Sequence, residues 1–222
     1  MSKHDVARRE FITGAALGAS VVAGARLLPE AAAQTHELPV AAKAPGPICA
    51  TSNSEGHGAF FNDADAETVA AFTERLMPGA PGKPGARDAA VLNYIDLALA
   101  GAYGDLQDFY RRGLAQFDAY CRRTYNEAFV KLDAARQDEV IKALESDKAD
   151  GFVWPRAQAF FNTIRTHTME GMFADPIYGG NKDFAGWHLI GFPGAQPLFT
   201  PEDLESRQAF TREPIVGLQG RA

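Results

Sequence analysis

The sequence predicts an all-α protein: a small helical bundle-like domain with a long glycine- and aromatic-rich loop near its C-terminus. Three observations predict this. From about Phe60 onward, apolar residues recur in successive stretches at spacings of three, four and seven, the period of a helix with one buried face. Each stretch is bounded by helix start and stop chemistry. No stretch alternates apolar and polar residues as a half-buried strand does, and no repeat of 20–50 residues is present.

The elements follow in order. Asn62 or Asp63 can cap a first helix carrying Val69, Phe72 and Leu76 on one stripe. Pro78 stops it, and the Gly- and Pro-rich run Gly79 to Gly85 reads as a loop. A second helix is expected from about Ala86, with Val91, Ile95 and Leu99 on its buried face, ending at Gly101 and Gly104. A third spans about Asp105 to Tyr125, with Leu106, Tyr110, Gly113, Phe117 and Cys121 in line. Asp133 caps a fourth, Leu132 serves as its hydrophobic staple, and Val140, Ile141 and Leu144 point inward. Pro155 suits the first turn of a fifth, whose Phe160, Phe161, Ile164 and Thr168 are buried. Thr200-Pro201-Glu202-Asp203 opens a short last helix with a capping-box-like start.

The N-terminus has a different character. Arg8 and Arg9 precede Phe11 and Ile12, an apolar stretch from Gly14 to Leu28, and the small residues Ala31-Ala32-Ala33. A basic region, a short apolar region and a small-residue cleavage site read as a removable targeting segment over residues 1–33. The stretch is too short for a membrane span, and Arg26 interrupts it. The paired arginines fit a twin-arginine signal, read by the pathway that exports folded proteins, and place the mature chain in the periplasm. Ala7 and Thr13 depart from that pattern, and an ordinary secretory signal or an uncleaved anchor is the competing reading. Residues 34–59, with Pro39, Pro45 and Pro47 and no periodicity, are expected to form a flexible arm. Residues 60–222 then make one helical domain with a C-terminal extension.

Charge and cysteine content exclude several functions. The net charge of −6 leaves no basic footprint for nucleic acid. Cys49 and Cys121 are the only cysteines, with no CxxC or CxxCH spacing, so covalently attached c-type haem and a four-cysteine iron–sulfur cluster are excluded. In an oxidising compartment the two thiols are disulfide candidates, with each other or with a partner.

No Gly-rich phosphate loop and no nucleophile elbow occurs. The best metal candidate is His167 with Glu170, one helical turn apart, followed by Asp175 and His188. A helical-bundle di-metal site needs two Glu-x-x-His motifs and two further Glu, and this chain offers one pair in reversed order. The simpler reading makes His167 a hydrogen-bonded support for the segment that follows. Arg111-Arg112 and Arg122-Arg123 read as solvated faces or partner contacts. Asp175 to Gly194 holds Tyr178, Phe184, Trp187 and Phe192 among several glycines. That is too aromatic for disorder, and it suits an interface.

Thr166-His167-Thr168-Met169-Glu170-Gly171-Met172-Phe173, then Asp175-Pro176-Ile177-Tyr178-Gly179-Gly180-Asn181, then Gly186-Trp187-His188-Leu189-Ile190-Gly191-Phe192-Pro193-Gly194 form a long, specific pattern. With Arg75-Leu76-Met77-Pro78, Gly85-Ala86-Arg87-Asp88-Ala89 and Tyr94-Ile95-Asp96, it resembles the gluconate 2-dehydrogenase subunit 3 family over about Phe60 to Gly194. The resemblance implies the small, non-catalytic subunit of a periplasmic dehydrogenase complex, with no cofactor in this chain. A large subunit would bind FAD and oxidise the substrate, and a multihaem cytochrome c subunit would pass electrons onward to the quinone pool. The large subunit would be carried by the twin-arginine translocase on this chain's signal. Related complexes oxidise gluconate, 2-ketogluconate, fructose, sorbitol or glucose. The expected partner interface is Tyr178, Asn181, Phe184, Trp187, His188 and Phe192. In some relatives a small-subunit cysteine bridges to the large subunit, for which Cys49 and Cys121 are both candidates. The alternatives are a metal-binding helical protein or enzyme using His167, Glu170 and His188, and a free-standing binding module.

Overall fold

The computed structural model describes residues 53–195, 198–207 and 215–218. Arg8, Arg9, Cys49 and the arm up to residue 52 lie outside the described residues. The described residues form helices α1 (Asp63–Leu76), α2 (Val91–Ala100), α3 (Gln107–Tyr125), α4 (Ala134–Glu145), α5 (Ala157–Phe173), α6 (Ala185–Ile190) and α7 (Pro201–Glu205). Among them there is no strand, only isolated bridges at Ala80–Lys83 and Gly194–Val216. The all-α expectation holds.

Local chemistry starts and stops these helices much as expected. The Asn62 side chain accepts from Asp65 N, and the Asp133 side chain from Arg136 N. Each satisfies one of the orphan donors of a first turn. Asn126, in the left-handed region, ends α3. Thr200 and Asp203 form a full capping box on α7. Two starts differ from the sequence reading. Residues 86–90 make a turn, and α2 begins only at Val91, because Ala90 takes a positive φ. Pro155 lies ahead of the cap Arg156 and not inside α5.

Helix α5 is central and packs against α1, α2, α3 and α4. Its Phe160, Ile164 and Met172 are fully buried beside Phe72 of α1, Ile95 and Leu99 of α2, Tyr110 and Phe117 of α3, and Leu144 of α4. Phe117 meets Phe72 at 5.6 Å and Phe129 at 5.0 Å between ring centroids, tilted or edge-on, the geometry that aromatic quadrupoles favour. Gly113 is required where α3 crosses α5: a Cβ there would lie 2.3 Å from the Phe160 ring. Arg75 forks onto both oxygens of Asp138 at 2.7 Å, tying α1 to α4.

Of the expected arm, residues 53–59 are described, and they are held against the domain. Asp96 of α2 is fully buried, and its carboxylate accepts from the backbone N–H groups of Ala59, Phe60 and Phe61 at 2.8–2.9 Å. His57 Nε2 reaches Asp63 Oδ1 at 3.0 Å. Within the described residues, the packed structure therefore already includes Asn53. A buried carboxylate that takes three backbone donors is a clamp no local pattern announces.

Candidate functional site

The segment that follows α5 is laid against the helix's C-terminal half and held there by hydrogen bonds. The final carbonyls of a helix have no intrahelical partner and must find donors elsewhere. Here residues of the following segment supply them. Asn181 N donates to Gly171 O at 2.6 Å, Asn181 Nδ2 to Ala174 O at 2.8 Å, and the Trp187 indole Nε1 to Phe173 O at 2.7 Å. Asn181 Oδ1 in turn accepts from Gly186 N at 2.8 Å, at the start of α6. Asn93 of α2 donates to Gly179 O at 2.6 Å.

The glycines of this segment allow close approach. A Cβ on Gly180 would lie 2.3 Å from Gly171 O, and one on Gly186 would lie 1.8 Å from Met172 O. The chain therefore lies directly on the α5 backbone. It is also more regular than a loop: turns of 3₁₀ helix at Pro176–Tyr178 and Lys182–Phe184 lead into α6. Asp175 caps the first of these turns, accepting from Ile177 N at 3.0 Å, and its other oxygen accepts from Leu218 N at 2.7 Å, near the C-terminus.

The six expected interface residues divide into two sets. Asn181 and Trp187 are buried and bonded within the chain. Phe184 is half-buried and stacks on Trp187 at 5.3 Å. Tyr178, His188 and Phe192 are exposed. Ile177, Leu189 and Ile190, which the sequence reading did not single out, are exposed beside them in the chain. The inner set fixes the segment; Tyr178 and His188 face solvent, and Phe192 meets Trp187 edge-on at 4.9 Å while leaving part of its ring exposed.

His167 and Glu170 belong to a tyrosine network. The Tyr110 hydroxyl and His167 Nδ1 hydrogen-bond at 2.8 Å, and Tyr103 stacks on the imidazole at 4.8 Å. Burial holds the His167 imidazole below its ordinary value of 6.5, with nearby Glu170 opposing. Tyr94 and Tyr103 both donate to Glu170 Oε2, at 2.9 and 3.2 Å. Burial, and then the bond to Glu170, push the Tyr94 hydroxyl well above its usual range, so it stays a donor. His188 is exposed on α6, apart from this network. No group of three or more His, Cys, Asp or Glu among the described residues is placed to hold a metal.

Cys121 is a free thiol with no exposed surface, and burial, with Asp118 adding, pushes it up to about 12. A thiol sealed in the core in this way stays protonated. No disulfide is present among the described residues. Sequence reading placed Cys121 on the apolar stripe of its helix, and the structure buries it there with Tyr110 and Phe117. The arginine pairs of α3 are exposed and locally engaged. Arg112 and Arg122 pair with Asp108 and Asp118 one turn earlier, and Arg111 lies over the Phe60 ring.

No curated protein and no solved structure matches the chain. The gluconate 2-dehydrogenase subunit 3 family matches residues 63–194, from the first residue of α1 to the end of the bonded segment after α6. The match covers the helical core, the tyrosine network and the segment laid on α5 together, and the chain belongs to the gluconate 2-dehydrogenase subunit 3 family.

Proposed function

We propose that this chain is the non-catalytic small subunit of a periplasmic, FAD-dependent sugar or sugar-acid dehydrogenase. In this reading it stabilises the flavoprotein subunit and escorts it through twin-arginine export on the signal at Arg8 and Arg9. A multihaem cytochrome c subunit completes the complex and carries the electrons away. The family is one of subunits of a multi-subunit dehydrogenase, which supports a role among partner chains.

One observation carries the reading. The segment 175–194 is bonded to α5 through backbone-directed contacts, yet Ile177, Tyr178, Leu189, Ile190 and Phe192 are exposed. Rigid, outward-facing aromatic and aliphatic side chains lose little rotamer freedom on docking and form the anchors of stable interfaces. The polar side chains that catalysis would require at this place, His167 and Glu170, are engaged by tyrosines.

Export is the direct test. Arg8→Lys with Arg9→Lys should leave dehydrogenase activity and the flavoprotein in the cytoplasm, where the wild-type chain delivers both to the periplasm. Periplasmic flavoprotein in the variant strain would refute the escort role.

A further inference from the structure

A pocket of about 550 Å³ opens between α2, the turn after it and the C-terminal half of α5. Its walls are mostly apolar, with Leu97 and Ile177 among them, and three tyrosines, Tyr94, Tyr103 and Tyr178, line it. Among the described residues, Glu170 is the only charged one that lines it. The carboxylate is held by tyrosines on one of its oxygens. Both tyrosine hydroxyls bond Oε2, and neither reaches Oε1. The chain thus presents one negative charge, with one oxygen open, in a half-enclosed site walled by aromatic rings. A carboxylate in an apolar pocket with tyrosines in its lining is the chemistry that binds an ammonium or guanidinium group, chiefly by charge-assisted hydrogen bonding, with the aromatic rings able to add cation–π attraction.

Position decides the source of the cation. Ile177 and Tyr178 form part of the pocket and also begin the exposed apolar run. A partner seated on that run covers the pocket mouth and must then compensate Glu170, because an unpaired carboxylate sealed from water is costly. We propose that the Glu170 pocket is a cation socket that receives a lysine or arginine side chain of the partner dehydrogenase subunit. This rests on the subunit role proposed above.

The test uses the full chain and the flavoprotein subunit with which it co-purifies, with affinity measured across a salt series. Glu170→Gln keeps the size of the side chain and an oxygen that can accept from Tyr94 and Tyr103. It should weaken association at least tenfold at low salt and flatten the salt dependence, while the isolated chain keeps its melting temperature within a few degrees. Ala102→Arg gives a second route that leaves Glu170 in place. Ala102 is exposed on the pocket wall, and an arginine there supplies an internal cation that occupies the socket. It should weaken association without lowering the melting temperature. Wild-type affinity and an unchanged salt slope in both variants would overturn the socket and leave the subunit role standing. Failure of the wild-type chain to associate with any flavoprotein would overturn both.

Discussion

The aromatic core and the segment 175–194 use the same residue types in opposite ways. In the core, Phe72, Phe117, Phe129 and Phe160 are fully buried and hold one another through ring packing. In the segment, Trp187 and Phe184 turn inward, but Tyr178 and Phe192 are 57% and 42% exposed. The core is held by apolar contact, whose loss destabilises the whole domain. The segment is held by directional bonds to the carbonyls that α5 leaves unpaired, so it can keep its shape while presenting apolar side chains to solvent. Stability and presentation are thus assigned to different forces.

The largest effect should come from the core. Phe160→Ala removes a ring packed against Tyr110 and Phe117 and covered by Gly113. It should cost about 3–5 kcal/mol. At about 2–4 °C per kcal/mol for a chain of this size, thermal unfolding should fall by well over 5 °C. Core and segment should then lose protection from hydrogen exchange together. Protection retained in the segment alone would break the comparison.

Asn181→Ala should act locally. It strands Ala174 O and Gly186 N, and an alanine must adopt a left-handed backbone with φ of 45°. Each stranded buried group costs about 1–3 kcal/mol. The amides of 181–191 should exchange faster, while those of α1 to α4 keep their wild-type rates. Equal acceleration throughout would show that the segment is part of the core.

The smallest effect concerns the other end of the described chain. The hydrogen bond to Asp63 raises the His57 imidazole above its ordinary value of 6.5, against burial. The folded value exceeds the unfolded one. The contribution is therefore fully present below about pH 6.5 and fades as pH rises through the folded value. Asp63 is almost wholly exposed, so the effect is screened and small. The residue 53–61 strand of chain should resist limited proteolysis slightly better at about pH 6 than at about pH 8. Asp63→Asn should reduce the difference, leaving only the weaker contribution of Glu55.

What the sequence made legible follows the range of each interaction. Helical stripes and caps were readable because their partners lie within four residues: Val69 with Phe72, Asn62 with Asp65, Asp133 with Arg136. The family pattern marked Tyr94, Glu170 and Asn181 without saying what they do, because Tyr94 meets Glu170 across 76 residues of chain. Asp96 was invisible as a clamp for the same reason, since its donors lie 35–37 residues away. The glycines of 179–186 were legible as glycines but pointed toward interface freedom. Gly180 and Gly186 instead let one backbone lie against another, which only the fold reveals. Aromatic content correctly marked the segment as ordered, but composition cannot separate Trp187, which faces in, from Tyr178, which faces out.

The account stands on the outward residues acting in binding and not in folding. Tyr178→Ser combined with Ile190→Ser, at two side chains that are more than half exposed, should leave the unfolding midpoint of the isolated chain nearly unchanged, since exposed substitutions usually fall within about 0.5 kcal/mol. The same variant, expressed with the flavoprotein subunit, should fail to co-purify with it or be recovered at less than a tenth of the wild-type yield. Wild-type recovery of the complex with this folded variant would contradict the claim that the segment laid on α5 is the docking surface.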